Sequence, residues 1–219
     1  SQSERIDEIR KLRVALVVPR ALVPATVKTA LGEVTLQPAV YDPILEVLSD
    51  HRARSIEQLE AEVAAKGVEF LQVVQAVMLL TGLGAFGLAQ SDSEIEAGRR
   101  TTRALNAMLT KRSHYSDQVA TLASPVTGGG LTISRFDQLF LTAHNNGQKN
   151  SDQWADYAWS VIKGQGETLL RDGEALTTDE ENLADLRGFA ARFEEGVLPL
   201  IKALGMADAQ TPHSRQKSR

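Results

Sequence analysis

Residues 55–88 have the sequence SIEQLEAEVAAKGVEFLQVVQAVMLLTGLGAFGL, and this stretch decides the predicted fold. The capping-box pattern SIEQ begins a helix, and Gly67 is a typical helix stop. The run from Glu69 to Thr81 is apolar nearly all round, which predicts a buried central helix covered on more than one side. Glycines then alternate with apolar residues from Gly82 to Leu88, which predicts a hairpin.

The residues before this stretch extend the same module. Residues 12–18 are apolar and β-branched, and the prolines that follow predict a strand at an edge or terminal position. Residues 32–36 predict a second short strand. Asp42 with Pro43 then predicts the start of a helix, unless residues 39–41 extend that helix backwards through a kink. Helix, capped helix, apolar helix and hairpin in this order are the outline of a winged helix.

The second half of the chain shows a different order of predicted elements. Residues 94–111 predict a connecting helix, and two short extended pieces then flank the glycine loop TGGG at 127–130. Three helices are expected after them, capped by Ser134, Ser151 and Thr178. Pro199 must either kink the last helix or start a new turn, because its ring clashes with the preceding turn.

The predicted fold class is therefore mainly α with short β hairpins, arranged as two winged-helix-like modules. The predicted boundaries are a linker (1–11), a winged-helix-like module (12–92), a connecting helix (93–116), a second helical, winged-helix-like module (117–207) and a polar tail (208–219). The first residue is serine rather than methionine, and the charged opening SQSERIDEIRKLR suits a linker. We therefore expect the chain to be a fragment of a longer protein.

Composition excludes several classes of protein. The 219 residues include 24 Lys and Arg against 28 Asp and Glu, a net charge of −4, which argues against a chain that coats nucleic acid or an anionic membrane. Cysteine is absent from the sequence, so disulfides, thiolate metal sites and cysteine nucleophiles are excluded. The most apolar run, residues 73–80, is too short for a membrane span. A cytoplasmic setting is expected, with neither a membrane nor nucleic acid as partner.

Candidate chemical groups have simpler structural explanations. The glycine loop lacks the Lys-Ser/Thr of a P-loop, so a strand-joining turn is favoured over a phosphate site. Ser124 lacks a nucleophile-elbow pattern and precedes a proline, which argues against a hydrolase triad. The histidines lack helical metal-site spacing; they are His51, His114, His144 and His213. The sequence therefore assigns no catalytic, cofactor-binding or metal-binding residue.

Two clusters of residues could bind a partner, but each also has a purely structural explanation. A basic cluster on the connecting helix offers phosphate contacts, but a solvated face is the favoured interpretation; it comprises Arg99, Arg100, Arg103, Lys111 and Arg112. The aromatic group Trp154, Tyr157 and Trp159 is expected in the core first, and as a partner anchor second. The apolar third helix offers only Gln72 and Gln75 for reading bases, a poor set for a recognition helix.

Three stretches carry a resemblance to a known family: RVALVVPRALVPATVKTALGEVTLQPAVYDPILEVLSD (13–50), LASPVTGGGLTISRFDQLFL (122–141) and LPLIKALG (198–205). Together they resemble the C-terminal regulatory region of bacterial S-adenosylmethionine-dependent methyltransferases, the methyltransferase regulatory domain family, which includes the outer-membrane-protein lysine methyltransferases. These motifs concern packing and turns rather than catalysis. The resemblance covers most of residues 11–206.

The resemblance implies a non-catalytic accessory module. In such proteins the catalytic domain is N-terminal to this region and binds S-adenosylmethionine, so no cofactor is expected in this chain itself. The implied partners are that catalytic domain in cis, a protein substrate, and a second copy in a homodimer; the implied role is regulation, substrate recruitment or dimerisation. The alternative is a free-standing winged-helix regulator that binds nucleic acid.

Overall fold

The computed structural model describes residues 2–29 and 32–207. It confirms a mainly helical fold with short antiparallel strands. The helices are α1 (Gln2–Lys11), α2 (Pro38–Val47), α3 (Ile56–Val63), α4 (Phe70–Gly82), α5 (Asp92–Arg112), α6 (Arg135–Asn145), α7 (Ser151–Gly164), α8 (Asp179–Arg192) and α9 (Leu198–Ala203). The strands are β1 (Arg13–Leu16), β2 (Thr26–Thr29), β3 (Gly32–Thr35), β4 (Arg54–Ser55), β5 (Phe86–Leu88), β6 (Thr121–Ser124), β7 (Gly129–Thr132), β8 (Leu170–Arg171) and β9 (Glu174–Ala175). The predicted polar tail lies outside the described residues.

The first module combines α2, α3 and α4 with a three-stranded antiparallel sheet in the order β4, β1, β5. Two expectations about its strands are wrong. β1 is the central strand rather than an edge, because it ends at Leu16, before Pro19 removes a ladder donor. The hairpin expected from Gly82 to Leu88 does not form: β5 pairs with β1 through Leu88 opposite Val14.

Helix starts in this module follow local capping chemistry. The capping box of Ser55 and Gln58 is confirmed, with reciprocal hydrogen bonds of 3.1 and 2.8 Å. α2 begins at Pro38 and continues through Pro43, so the backward extension is the correct alternative and Asp42 is not the N-cap. Residues 2–11, predicted as a linker, form α1.

α1 is anchored on the first module by one arginine. Nε of Arg10 donates to Glu60 at 3.0 Å, and its Nη2 donates to the same carboxylate at 3.1 Å. The guanidinium also lies 4.7 Å from the centre of the Phe70 ring. A bidentate pair with a cation–π contact orients α1 against α3 and α4.

The apolar helix α4 packs against α2, α3 and β5 and leaves one stripe exposed. Four residues of α4 face the core: Val73, Ala76, Val77 and Leu80. Leu71 and Met78 on the opposite side are 62% and 70% exposed. α4 is therefore covered on more than one side, as expected, while the stripe that includes Leu71 and Met78 stays exposed.

The second module begins with the antiparallel hairpin of β6 and β7, followed by α6, α7, the small hairpin of β8 and β9, and α8. Ser134 and Thr178 cap α6 and α8 as predicted. Asn150, not Ser151, caps α7. The chain then forms a π turn at Phe193–Val197, and α9 starts with Pro199 in its first turn, which confirms the new-turn alternative.

The core consists of two apolar clusters joined at β1. Val14 and Leu16 point into the first cluster, and Ala15 between them points into the second. Alternation of side chains along a strand places these residues on opposite faces of the sheet. β1 therefore belongs to both cores and fixes the two modules against each other.

Among the described residues, no single helix has the length and hydropathy needed to cross a membrane. α3 with its following turn and α4 reach that length and hydropathy only when taken together, and this pair is bent by 119°.

Candidate functional site

A cleft of about 730 Å³ opens beside the junction of the two modules. Its volume falls within the range of about 300 to 1,000 Å³ that is typical of ligand sites. One wall is the segment from Pro19 to Leu22, with Ser49 and His51 behind it. The facing wall comes from the start of α6, the end of α8 and the π turn; its members are Ser134, Phe136, Asp137, Phe189, Arg192, Phe193, Glu195, Gly196, Val197 and Pro199.

Aromatic and proline side chains make the cleft largely apolar. The rings of Phe136 and Phe189 lie 5.5 Å apart between centres, at an interplanar angle of 30°. Gly196 lets the walls meet at the base, because a Cβ there would lie 3.1 Å from Cβ of Pro19. Leu22 stands at the rim with 69% of its surface exposed. The cleft therefore offers apolar contact area to a ligand.

Asp137 places a carboxylate in this apolar wall. The N-cap Ser134 donates its hydroxyl to Oδ2 of Asp137 at 2.7 Å and accepts the Asp137 backbone N–H at 3.1 Å. Burial raises the pKa of the Asp137 carboxyl, against the lowering effects of the Ser134 hydrogen bonds and of the Arg192 charge. Within the described chain, no cation forms an ion pair with this carboxylate.

The cleft also carries charges of both signs at its edges. Nη2 of Arg20 donates to Oδ1 of Asp42 at 2.9 Å, so this guanidinium already forms an ion pair with a carboxylate. The Arg192 guanidinium lies over the Phe189 ring, 4.9 Å from its centre. Glu195 is exposed and forms no ion pair with another described residue. The rim therefore presents donors and acceptors around an apolar floor.

His51 supports the cleft from behind. It is buried, with a left-handed φ of 60°, and its Nδ1 lies 2.9 Å from the Leu16 carbonyl oxygen. Because a carbonyl only accepts, Nδ1 carries the proton. A left-handed backbone is uncommon for a residue other than glycine, and this hydrogen bond helps to hold it.

Two sequence candidates have structural roles. The TGGG loop is a strand-joining turn, as predicted, with Ser124 opposite Gly129 across the hairpin. Its Gly128 has a φ of 68° and packs against the side chain of Gln90. The Ser124 hydroxyl is buried and donates to the Leu204 carbonyl at 2.8 Å, so it is a packing group rather than a nucleophile.

The other described histidines, His114 and His144, contact aromatic side chains of α7. Nε2 of His114 lies 2.5 Å from the Tyr157 hydroxyl oxygen. His144 packs edge-on against Trp154, and burial, aided by the Lys202 charge, lowers the pKa of His144. His213 lies outside the described residues. Residues 2–29 and 32–207 contain no group of three or more His, Asp or Glu side chains that could hold a metal ion.

The predicted binding clusters lie away from the cleft. Trp154 and Trp159 are buried in the second core, as predicted, and Tyr157 is partly buried beside them. In the basic cluster, Nε of Arg99 donates to Glu96 at 3.0 Å, and the other four cations lie on exposed positions of α5.

Sequence reasoning missed the cleft. Its walls come from four segments, around residues 19–22, 49–51, 134–137 and 189–199. No local motif joins them. The available signal was a set of aromatic and proline residues beside a capped helix start, which also fits an ordinary core.

Comparison with known proteins gives one relative. The chain is 33% identical, over 204 residues, to the uncharacterized protein sll1526 of Synechocystis sp. (strain ATCC 27184 / PCC 6803 / Kazusa). The match covers 93% of this chain but only 39% of that protein. No family model matches the chain. No solved structure matches it either.

Proposed function

We propose that this chain is a non-catalytic, substrate-recruiting regulatory region of an S-adenosylmethionine-dependent methyltransferase, and that a segment of the protein substrate binds in the cleft between its modules. The catalytic domain would lie N-terminal to this region in the same chain, in the cytoplasm. The resemblance of residues 13–50, 122–141 and 198–205 to methyltransferase regulatory regions suggests the enzyme class. More than half of the Synechocystis relative lies outside the match, which leaves room for another domain in that protein.

The observation that carries the proposal is the composition of the cleft. Its apolar floor fits side chains such as leucine or phenylalanine. Its polar groups are the carboxylates of Asp137, in the wall, and of Glu195, at the edge, together with the donor groups of Arg192. A polypeptide needs both kinds of polar group, because each residue other than proline carries a backbone donor and an acceptor.

The charge distribution of α4 disfavours the nucleic-acid alternative. Its outer face presents Leu71, Gln75 and Met78, and the helix contains no charged residue. A helix that reads DNA needs side chains that hydrogen-bond base edges and cations nearby for phosphates. A mobility-shift assay tests this: tight, sequence-selective retardation of duplex DNA at physiological salt would favour the alternative.

Two measurements test the methyltransferase assignment. The reading frame upstream of Ser1 should encode a domain with the strand, glycine loop and helix that bind S-adenosylmethionine; a start codon at or near Ser1 would contradict this. In isothermal titration, the chain alone should show no saturable binding of S-adenosylmethionine at micromolar ligand. Clear binding would overturn a non-catalytic role.

The cleft itself is tested in the methyltransferase that carries this chain. Leu22→Asp should raise KM for the protein substrate by about tenfold and leave kcat unchanged, because a rim leucine contributes binding energy without touching the reacting atoms. Leu170→Asp is the matched control: Leu170 is 67% exposed in the hairpin of β8 and β9, away from the cleft. Equal KM values for Leu22→Asp and the unmodified enzyme would contradict substrate binding in the cleft.

A further inference from the structure

One acceptor in the wall of the cleft has no partner within the described chain. Oδ2 of Asp137 accepts the Ser134 hydroxyl at 2.7 Å, whereas no described residue donates to Oδ1. Asp137 lines the cleft, and Oδ1 keeps some exposed surface, so a group that enters the cleft can reach it. An ionised carboxylate only accepts hydrogen bonds. The wall therefore offers a negatively charged acceptor to a donor on a ligand.

The other charges of the cleft leave this carboxylate uncompensated. Arg20 already forms an ion pair with a carboxylate that does not line the cleft. Among the lining groups without an ion pair in the described chain, Asp137 and Glu195 are negative and Arg192 is positive. The Arg192 guanidinium lowers the pKa of Asp137 but forms no ion pair with it. With His51 neutral, the cleft therefore carries an excess of one negative charge, which attracts cations.

Burial makes the charge of Asp137 costly in the chain by itself. It raises the pKa of this carboxyl, so the ionised form is less favourable here than in water. A bound cation removes this cost, because it supplies both the opposite charge and the missing donor. A metal ion needs several ligands, and the described residues contain no group of three or more His, Asp or Glu side chains for one. The wall therefore favours an organic cation.

The rings beside Asp137 favour a cation that carries an alkyl chain. Phe136 precedes Asp137 on α6, and its ring centre lies 5.5 Å from that of Phe189. Both rings are partly buried and line the cleft. Lysine and arginine combine an apolar stem with a charged head, and ring faces attract such heads. Arg192 shows this mode within the chain, with its guanidinium 4.9 Å from the centre of the Phe189 ring.

We propose that the cleft binds a lysine or arginine side chain of the partner segment, with the charged head on Oδ1 of Asp137 and the stem against Phe136 and Phe189. This inference rests on the proposed function, which makes the cleft the binding site of that segment, and it adds the charge of the residue that anchors the segment there. The anchor is separate from the methylated residue, since no cofactor is expected in this chain.

The cation n-butylammonium reproduces the side chain of lysine and serves as the probe. Its neutral analogue is n-butanol, and its anionic analogue is pentanoate. The chain is titrated with each compound at constant ionic strength, and binding is followed by the amide NMR signals of Phe136 and Gly196, which both line the cleft. At about pH 7, n-butylammonium should bind with a Kd of about 10 mM, about tenfold tighter than either analogue.

Charge variants test the role of Asp137. Asp137→Asn should lower the affinity for n-butylammonium by about tenfold, to that for n-butanol, and Arg192→Gln should raise it by about threefold because a competing positive charge is removed. Glu195→Gln is the matched control: this carboxylate is exposed and screened, so the change should be less than about twofold. Thermal unfolding checks that each variant is folded. Equal affinities for n-butylammonium and n-butanol, or a loss of binding in Glu195→Gln or Arg192→Gln rather than in Asp137→Asn, would overturn the proposal.

The cation site and the proposed function fail in different experiments. If Leu22→Asp raises KM for the protein substrate but the cleft shows no preference for n-butylammonium, the segment binds there without a cationic anchor, and only the cation site is overturned. If n-butylammonium binds through Asp137 but Leu22→Asp leaves KM unchanged, the cation site stands and the binding of a substrate segment is refuted.

Discussion

Asn106 is the polar group that fixes the connecting helix to the second module. Its Nδ2 donates to the carbonyl oxygens of Ala123 and Met206, each at 2.8 Å, and its Oδ1 accepts the Ala123 backbone N–H, also at 2.8 Å. The side chain is buried, with 4% of its surface exposed. One amide therefore ties α5 to both β6 and the residues that follow α9.

Asn106→Ala should lower the free energy of unfolding by about 3 kcal/mol. Three hydrogen bonds are lost, each with a net contribution of about 1 kcal/mol. The backbone groups of Ala123 and Met206 that they paired are left without a hydrogen-bond partner. For a chain of this size, 1 kcal/mol shifts the melting temperature by about 2 to 4 °C, so the expected decrease is about 6 to 12 °C.

Differential scanning calorimetry measures this decrease directly. Asn145→Ala serves as the control, because Asn145 is exposed at the end of α6 and forms no side-chain hydrogen bond with a described residue. The control should change the melting temperature by less than about 2 °C. If Asn106→Ala behaved like the control, water or side-chain rearrangement would be satisfying the three backbone groups, and the reasoning would be refuted.

Three further changes have expected outcomes. Val77→Asp should lower the free energy of unfolding by about 3 kcal/mol or more in urea denaturation, because it buries an unpaired charge, whereas Arg100→Ala should change it little; equal effects would contradict the burial of α4. Asp137→Asn should make the chain more stable than the unmodified chain at about pH 7 but not at about pH 4. Burial raises the folded pKa of Asp137, so the cost of ionising it appears as the pH rises above the unfolded value. A difference in unfolding free energy between the two chains that does not change with pH would contradict this. Gly128→Ala should cost about 1 kcal/mol or more in thermal unfolding, because alanine strains a φ of 68° and its Cβ would displace the Gln90 side chain; an unchanged melting temperature would show that the turn and Gln90 relax.

Local chemistry made the helix starts predictable. The capping residues Ser55, Ser134 and Thr178 each bond the backbone N–H three residues later. The prediction failed at Ser151, because Asn150 is an equally good capping residue one position earlier and takes the role. Patterns within four residues therefore locate a helix but leave its first residue uncertain when two cap formers are adjacent.

Contacts between distant residues were not predictable from such patterns. The partner of β5 is β1, more than 60 residues earlier, so the glycines beside β5 indicated a turn but not which strand it joins. Asn106 likewise resembles any polar residue on a solvated helix until β6 closes over it. The cleft depends on four segments at once, and each segment alone has an ordinary composition.

The shared strand explains how the cleft can exist before any ligand binds. Ala15 contributes to the second core, while its neighbours Val14 and Leu16 are buried in the first. A hinge between the modules would have to expose one face of β1, at a cost in apolar burial. Pro19 follows this strand closely and meets Gly196 at the base of the cleft. Because the strand and the base are fixed together, the cleft walls should move little on binding, and the ordering cost falls on the partner segment.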